Sequence, residues 1–97
     1  MAPTDAINDD TRFVVPDHVL PRYASGETVL MNLENEEYYG LDEVGSRFWA
    51  LATGGSTFGE IITALLDEYA ANPDELVDDV TTLIDELRND GLVEIQQ

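Results

Sequence analysis

Ninety-seven residues carrying 21 acids, four Arg and no Lys, for a net charge of −17, make one domain that repels nucleic acid and anionic membranes and attracts cationic partners. A hydrophobic fraction of 43% excludes general disorder, and zero cysteine excludes disulfides, thiolate metal sites and a cysteine nucleophile. No apolar run approaches the ~20 residues of a membrane span, and the first eleven residues lack the basic start and apolar stretch of a signal peptide, so the cytoplasm is the expected location.

Residues 1–11, with three acids and little apolar content, read as a disordered acidic tail. The domain proper is expected over residues 12–95. Residues 12–15 are a short apolar run stopped by Pro16, plausible as an edge strand. Residues 16–27 hold two prolines and Ser25-Gly26 and read as a loop. Residues 28–33 alternate, Val29, Met31 and Leu33 on one side and Thr28, Leu30 and Asn32 on the other, which is the two-residue period of a half-buried strand. Residues 36–41 form a second strand with Tyr39 and Leu41 opposite Tyr38 and Gly40. Glu34-Asn35 between them reads as a two-residue hairpin turn, Asn tolerating a left-handed backbone.

Asp42 caps a first helix over residues 43–53, with Val44, Phe48, Leu51 and Ala52 on one face. Gly54-Gly55 ends it. Thr57 and Glu60 form a capping box for a second helix, which turns Ile61, Ile62, Leu65, Leu66 and Tyr69 inward. Asn72 as cap, Pro73 at the first helical position and Glu75 behind it start a third helix. It ends at Asn89-Asp90-Gly91, where glycine supplies the positive φ of a C-cap. Residues 92–95 read as a short terminal strand or an extended tail. Strands first and helices second, without βαβ alternation, predict an α+β domain. A three-stranded antiparallel sheet followed by three helices is a winged helix-turn-helix.

The third helix conflicts with the usual work of that fold. Residues 73–91 carry Asp74, Glu75, Asp78, Asp79, Asp85, Glu86 and Asp90 against Arg88 alone, whereas a helix that enters DNA needs Lys and Arg to neutralise phosphates. That charge argues against a DNA-binding regulator, which a gel shift at low salt without retarded DNA would dispose of.

Catalytic constellations are absent as well. His18 is the only histidine and reads as structural or exposed, with no nucleophile or ligand set beside it. The calcium-loop spacing is missing. Gly54-Gly55-Ser56-Thr57 lacks the Lys and the preceding strand of a phosphate cradle, and no Asp-Ser pair exists to carry a phosphopantetheine arm. The expectation is no enzyme, no cofactor and no metal. Phe48 and Trp49 on the first helix read as core.

Four features in order remain: a hairpin whose second strand holds Tyr38 and Tyr39, the junction Tyr39-Gly40-Leu41-Asp42-Glu43-Val44-Gly45, an aromatic first helix, and the close Leu87-Arg88-Asn89-Asp90-Gly91-Leu92. Together they closely resemble the PqqD family of precursor-peptide (RiPP) recognition elements over about residues 12–95. The resemblance implies a non-catalytic module that holds the leader segment of a ribosomally made precursor peptide. It presents that leader to a leader peptidase or another tailoring enzyme, the leader adding as a strand to the sheet edge against the third helix. A chain of this length looks like the free-standing members of lasso-peptide pathways. Pyrroloquinoline quinone biosynthesis is the other well-known setting. A regulatory subunit of an enzyme complex that holds no peptide is the remaining alternative.

The residues support such a mechanism in their own right. An edge strand at residues 36–41 would offer unpaired backbone groups to an incoming strand, which singles out Glu36, Glu37, Tyr38, Tyr39 and Gly40. On the third helix, Leu76, Val80, Leu83 and Leu87 are the expected core stripe. About 80 to 100° round at 100° per residue, Val77, Thr81, Ile84 and Arg88 form a flanking stripe suited to a groove wall. Tyr38 or Tyr39 would form the opposite wall. Asp78, Asp85, Glu36 and Glu37 would rim the groove and favour a cationic leader. Arg88 would register a leader carboxylate or favour its own helix dipole.

Overall fold

A computed structural model describes residues 7–96. The elements are β1 (Arg12–Val14), β2 (Val19–Ala24), β3 (Glu27–Asn32), β4 (Glu37–Leu41), α1 (Glu43–Thr53), α2 (Phe58–Glu68), α3 (Pro73–Asn89) and β5 (Glu94–Gln96). The architecture is α+β: a three-stranded antiparallel sheet ordered β2-β3-β4, followed by three helices, with β1 and β5 paired in a separate ribbon.

The third strand of the sheet is not the expected one. Residues 12–14 pair with the C-terminal strand, Phe13 opposite Ile95. The segment read as a loop supplies β2, joined to β3 by the two-residue turn Ser25-Gly26 with Gly26 at φ 74. Pro21 made that segment look irregular, yet a proline is tolerated where a strand needs no donor. Leu33 N–H donates to His18 C=O at 2.8 Å, and Val19 stands opposite Asn32. In an antiparallel pair the main-chain groups of alternate residues face the partner, so Leu20, Arg22 and Ala24 turn theirs toward β3. Val19, Pro21 and Tyr23 turn theirs outward, and Pro21 forfeits no ladder bond.

The β3–β4 turn also differs from the expectation. It spans four residues, and the left-handed residue is Glu36 at φ 61, not Asn35. Glu36 N–H donates to Asn32 C=O at 2.7 Å, while the Asn32 and Asn35 side chains accept from Glu34 N–H and Glu37 N–H. These local side-chain acceptors hold the turn without glycine.

The helices start where their caps predict. Asp42 accepts from Gly45 N–H at 2.8 Å, Thr57 and Glu60 form the reciprocal capping box, and Asn72 accepts from Asp74 and Glu75 N–H. Helix α3 ends in a Schellman arrangement, Leu92 N–H reaching back to Leu87 C=O at 2.8 Å over Gly91 at φ 73. Its freed carbonyls are met from the sheet. The Asn32 amide donates to Asp90 C=O at 3.0 Å, and His18 Nε2 lies 2.8 Å from Gly91 C=O. His18 is thus half-buried and structural, a strut between the sheet and α3.

One apolar core fills the space between sheet and helices. Leu30, Phe48, Trp49, Ile61, Leu65, Ile84 and Leu87 are its most deeply buried members, and Phe13 packs edge-on against Phe48 with ring centroids 5.5 Å apart. Arg47 and Glu68 join α1 to α2 in a surface pair, Nε and a terminal guanidinium nitrogen each 2.8 Å from the carboxylate. Of the expected tail, residues 1–6 lie outside the described residues. Within residues 7–11, Ile7 packs against the core and Thr11 is buried while residues 8–10 are exposed; Phe58 N–H donates to Thr11 C=O at 2.8 Å, and Gly59 N–H donates to Asp9 C=O at 3.0 Å. The start of α2 therefore recruits this segment to satisfy its first amides.

Candidate functional site

β4 borders the sheet, and no described strand pairs with its far side. The same phase argument fixes what it offers there. Asn32, Leu30 and Thr28 face β4, and their partners Glu37, Tyr39 and Leu41 face back. Tyr38 and Gly40 consequently direct their N–H and C=O groups away from the sheet. Tyr38 is 67% exposed. Gly40 is exposed, and a Cβ added there would meet no atom within 4 Å.

Helix α3 lies beside this edge. The Tyr39 hydroxyl donates to Glu86 Oε1 and so identifies the face of α3 turned to β4. At 100° per residue, Glu75, Asp79, Leu83 and Asp90 fall within about 60° of Glu86 on the helix. Two concavities are lined in part by α3 or the residues that close it. One is a small recess lined by Asn35, Glu37, Tyr38, Tyr39, Asp90 and Leu92 among others. The other is a pocket of 530 Å³ between the first turn of α1 and α3. Its floor is Val44, Phe48, Leu76, Val80 and Leu83; Asp42, Glu75 and Asp79 supply its charge, with no Lys or Arg in the lining. A larger depression of 1090 Å³ is remote from the cleft, since it is lined from Asp9, Asp10, Arg12 and α2 and by nothing from β2–β4 or α3.

The Tyr39 phenol reports the electrostatics of the cleft. Its pKa is pushed up to about 12, first by burial, then by the hydrogen bond to Glu86 and the charges of Glu86, Asp90 and Asp42. Anions crowd the hydroxyl from both β4's end and α3.

The residues expected at the site divide on this geometry. Glu36, Glu37, Tyr38, Tyr39 and Gly40 are together on the open edge and its turn. The α3 residues are not with them. Ile84 is fully buried and belongs to the core, correcting its assignment to a flank, while Leu83, expected in the core, is half-buried on the pocket floor. The buried stripe is Leu76, Val80, Ile84 and Leu87, spaced 4-4-3 rather than 4-3-4, which rotates the helix. Val77, Thr81 and Arg88 are half-buried but sit about 140–180° around from Glu86, on the far flank of the core. Asp78 and Asp85 are exposed about 80–100° from Glu86, toward solvent. The α3 residues that do face β4 were not singled out from the sequence as a group. Their only signal was a run of acids at helical spacing, Glu75, Asp79 and Glu86, which reads equally as a solvated face.

Among solved structures, the chain is similar to TbiB1 in complex with the TbiA(beta) leader peptide, with a TM-score of 0.78 and 34% identity over 82% of this chain and 93% of that one. No curated protein matches the sequence. Residues 27–93, from the start of β3 through the Schellman close of α3, match the family model of coenzyme PQQ synthesis protein D; the chain belongs to the PqqD family.

Proposed function

We propose that this chain binds the leader segment of a ribosomally synthesised precursor peptide, without catalysing a reaction on it. The leader adds as a strand along β4, bonding to the outward groups of Tyr38 and Gly40, and its side chains enter the cleft against Glu75, Asp79, Leu83 and Glu86. The bound leader is then presented to a leader peptidase or another tailoring enzyme, as in lasso-peptide pathways. The observation that carries this reading is an unpaired edge strand beside an open cleft, in a protein similar to one solved with a leader peptide. Main-chain bonds along an added strand give affinity with little sequence choice, so discrimination falls to the cleft.

The charge has a defined part in this. An exposed ion pair adds only ~0.2–1 kcal/mol, so the cleft's acids act mainly by speeding encounter with a cationic leader, which makes the on-rate fall with salt. A second reading, a peptide chaperone in pyrroloquinoline quinone biosynthesis, is favoured by the description of the matching family model. It differs in the peptide held and not in the mode of holding.

Calorimetric titration with synthetic leader and core segments, taken from precursor genes adjoining this one, tests the reading. Binding is expected for the leader with the core removed and not for the core alone. Equal affinity for the two segments overturns it.

A further inference from the structure

The pocket between α1 and α3 combines two lining chemistries that one kind of side chain satisfies together. Its floor is apolar and its rim carries three carboxylates, those of Asp42, Glu75 and Asp79. At 530 Å³ it falls within the range of about 300–1,000 Å³ typical of specific small-ligand sites. Its lining includes Asp42, the residue that follows β4 in the chain.

Two of the three acids have a local explanation. Asp42 caps α1, and Glu75 lies in the first turn of α3, where each offsets a helix dipole worth about +0.5 charge at its N-terminus. Two such ends cancel about one of the three negative charges. Asp79 lies beyond the first turn of α3 and serves no cap. Placing a neutral apolar group in the pocket would strip water from carboxylates left without a counter-charge, which is costly. A long basic side chain lays its methylene stem on apolar surface and keeps its charged head at the rim.

We propose that this pocket is the site for an Arg or Lys anchor residue, its stem against Val44 and Leu83 and its cationic head among Asp79, Glu75 and Asp42. The assignment rests on the leader-binding reading for the identity of the chain that carries the anchor, but the pocket's preference is testable without any peptide.

The probe is n-butylguanidinium, titrated into the full chain while the methyl NMR signals of Val44 and Leu83 are followed. These signals are expected to shift and saturate, with at least tenfold weaker binding of neutral n-pentanol and of p-cresol. Asp79→Asn together with Glu75→Gln should remove that tenfold preference while lowering the unfolding midpoint only slightly, by the lost interaction of Glu75 with the start of α3. Either neutral probe binding as tightly as n-butylguanidinium overturns the assignment, as does an unshifted pair of methyls or a preference that survives the double substitution. Failure of the leader to bind in calorimetry, with the fragment preference intact, would instead remove only the peptide reading.

Discussion

β2 and β4 border the same sheet, and their outer sides differ in what they offer another chain. On β2 the outward positions are Val19, Pro21 and Tyr23. The Val19 N–H is taken by Pro16 C=O at 3.1 Å, and Pro21 has no N–H to give. On β4 the outward positions are Tyr38 and Gly40, both with their donors, the second without a side chain to obstruct approach. Proline on an edge strand is a common protection against unwanted pairing. Here it blunts one margin and leaves the other open, and the open margin is the one with α3 and its acidic flank alongside. In the proposed mode of binding, an edge serves through its neighbours as much as through its own hydrogen-bonding groups.

The contrast depends first on how α3 is seated. Ile84→Ala empties a fully buried position and should cost about 2–5 kcal/mol in urea denaturation, whereas Leu83→Ala, at a half-buried site, should cost markedly less and be felt in leader binding. Comparable losses for the two would mean that α3 is rotated from the orientation described here, and the acidic flank would no longer face β4.

Proline scanning breaks the comparison between edges directly. Tyr39→Pro removes an N–H that faces β3, together with the hydroxyl bonded to Glu86. It should destabilise by about 1–3 kcal/mol or more, the cost of stranding an inward acceptor. Tyr38→Pro removes an outward N–H, so it should weaken leader binding at least tenfold with a smaller loss of stability. Pro21→Thr, which restores a donor to the β2 edge, should leave leader affinity within twofold. If Pro21→Thr alters affinity more than Tyr38→Pro does, the peptide adds to the other margin.

The smallest effect sharpens the electrostatic side of the contrast. The Tyr39 phenol is raised from 10.0 to about 12, so the folded state holds that proton more tightly than the unfolded chain does. The associated stability is complete below pH 10 and is lost as pH rises from there to about 12. Absorbance at 295 nm should show late tyrosinate ionisation that shrinks in Tyr39→Phe, the remainder belonging to Tyr69, which burial and Glu43 also raise, and the substituted protein should lose less stability across that pH window. A wild-type titration with every midpoint near pH 10, and unchanged by Tyr39→Phe except in amplitude, would mean that the anions of the cleft do not surround the hydroxyl.

Much of the architecture was legible residue by residue. The caps at Asp42, Thr57 and Asn72 are local devices in which a side chain meets an amide two or three positions away, so the start of each helix is written in adjacent residues. The same holds for the Gly91 close and for the alternation of β3 and β4. What escaped was non-local. Pro21 marks irregular backbone in isolation, and only the phase of the pairing with β3, set by His18 and Leu33, shows that it sits where no donor is needed. The terminal strand finds its partner in β1 some eighty residues away, a pairing that neither short segment signals.

The site divides along the same line. That β4 carries Tyr38, Tyr39 and Gly40 in succession, and that α3 is acidic on several faces, follows from the order of residues along the chain. Which face of α3 meets β4 was decided by tertiary packing. Leu83 and Ile84 are both apolar neighbours and differ by 100° on the helix, so either completes a plausible stripe with Leu76, Val80 and Leu87. Burying Ile84 turns the helix until Glu86 reaches Tyr39 and Asp79 reaches the pocket. A one-dimensional pattern sets the period of a helix, but its rotation about its axis is fixed only by the volume and contacts of the surfaces it packs against.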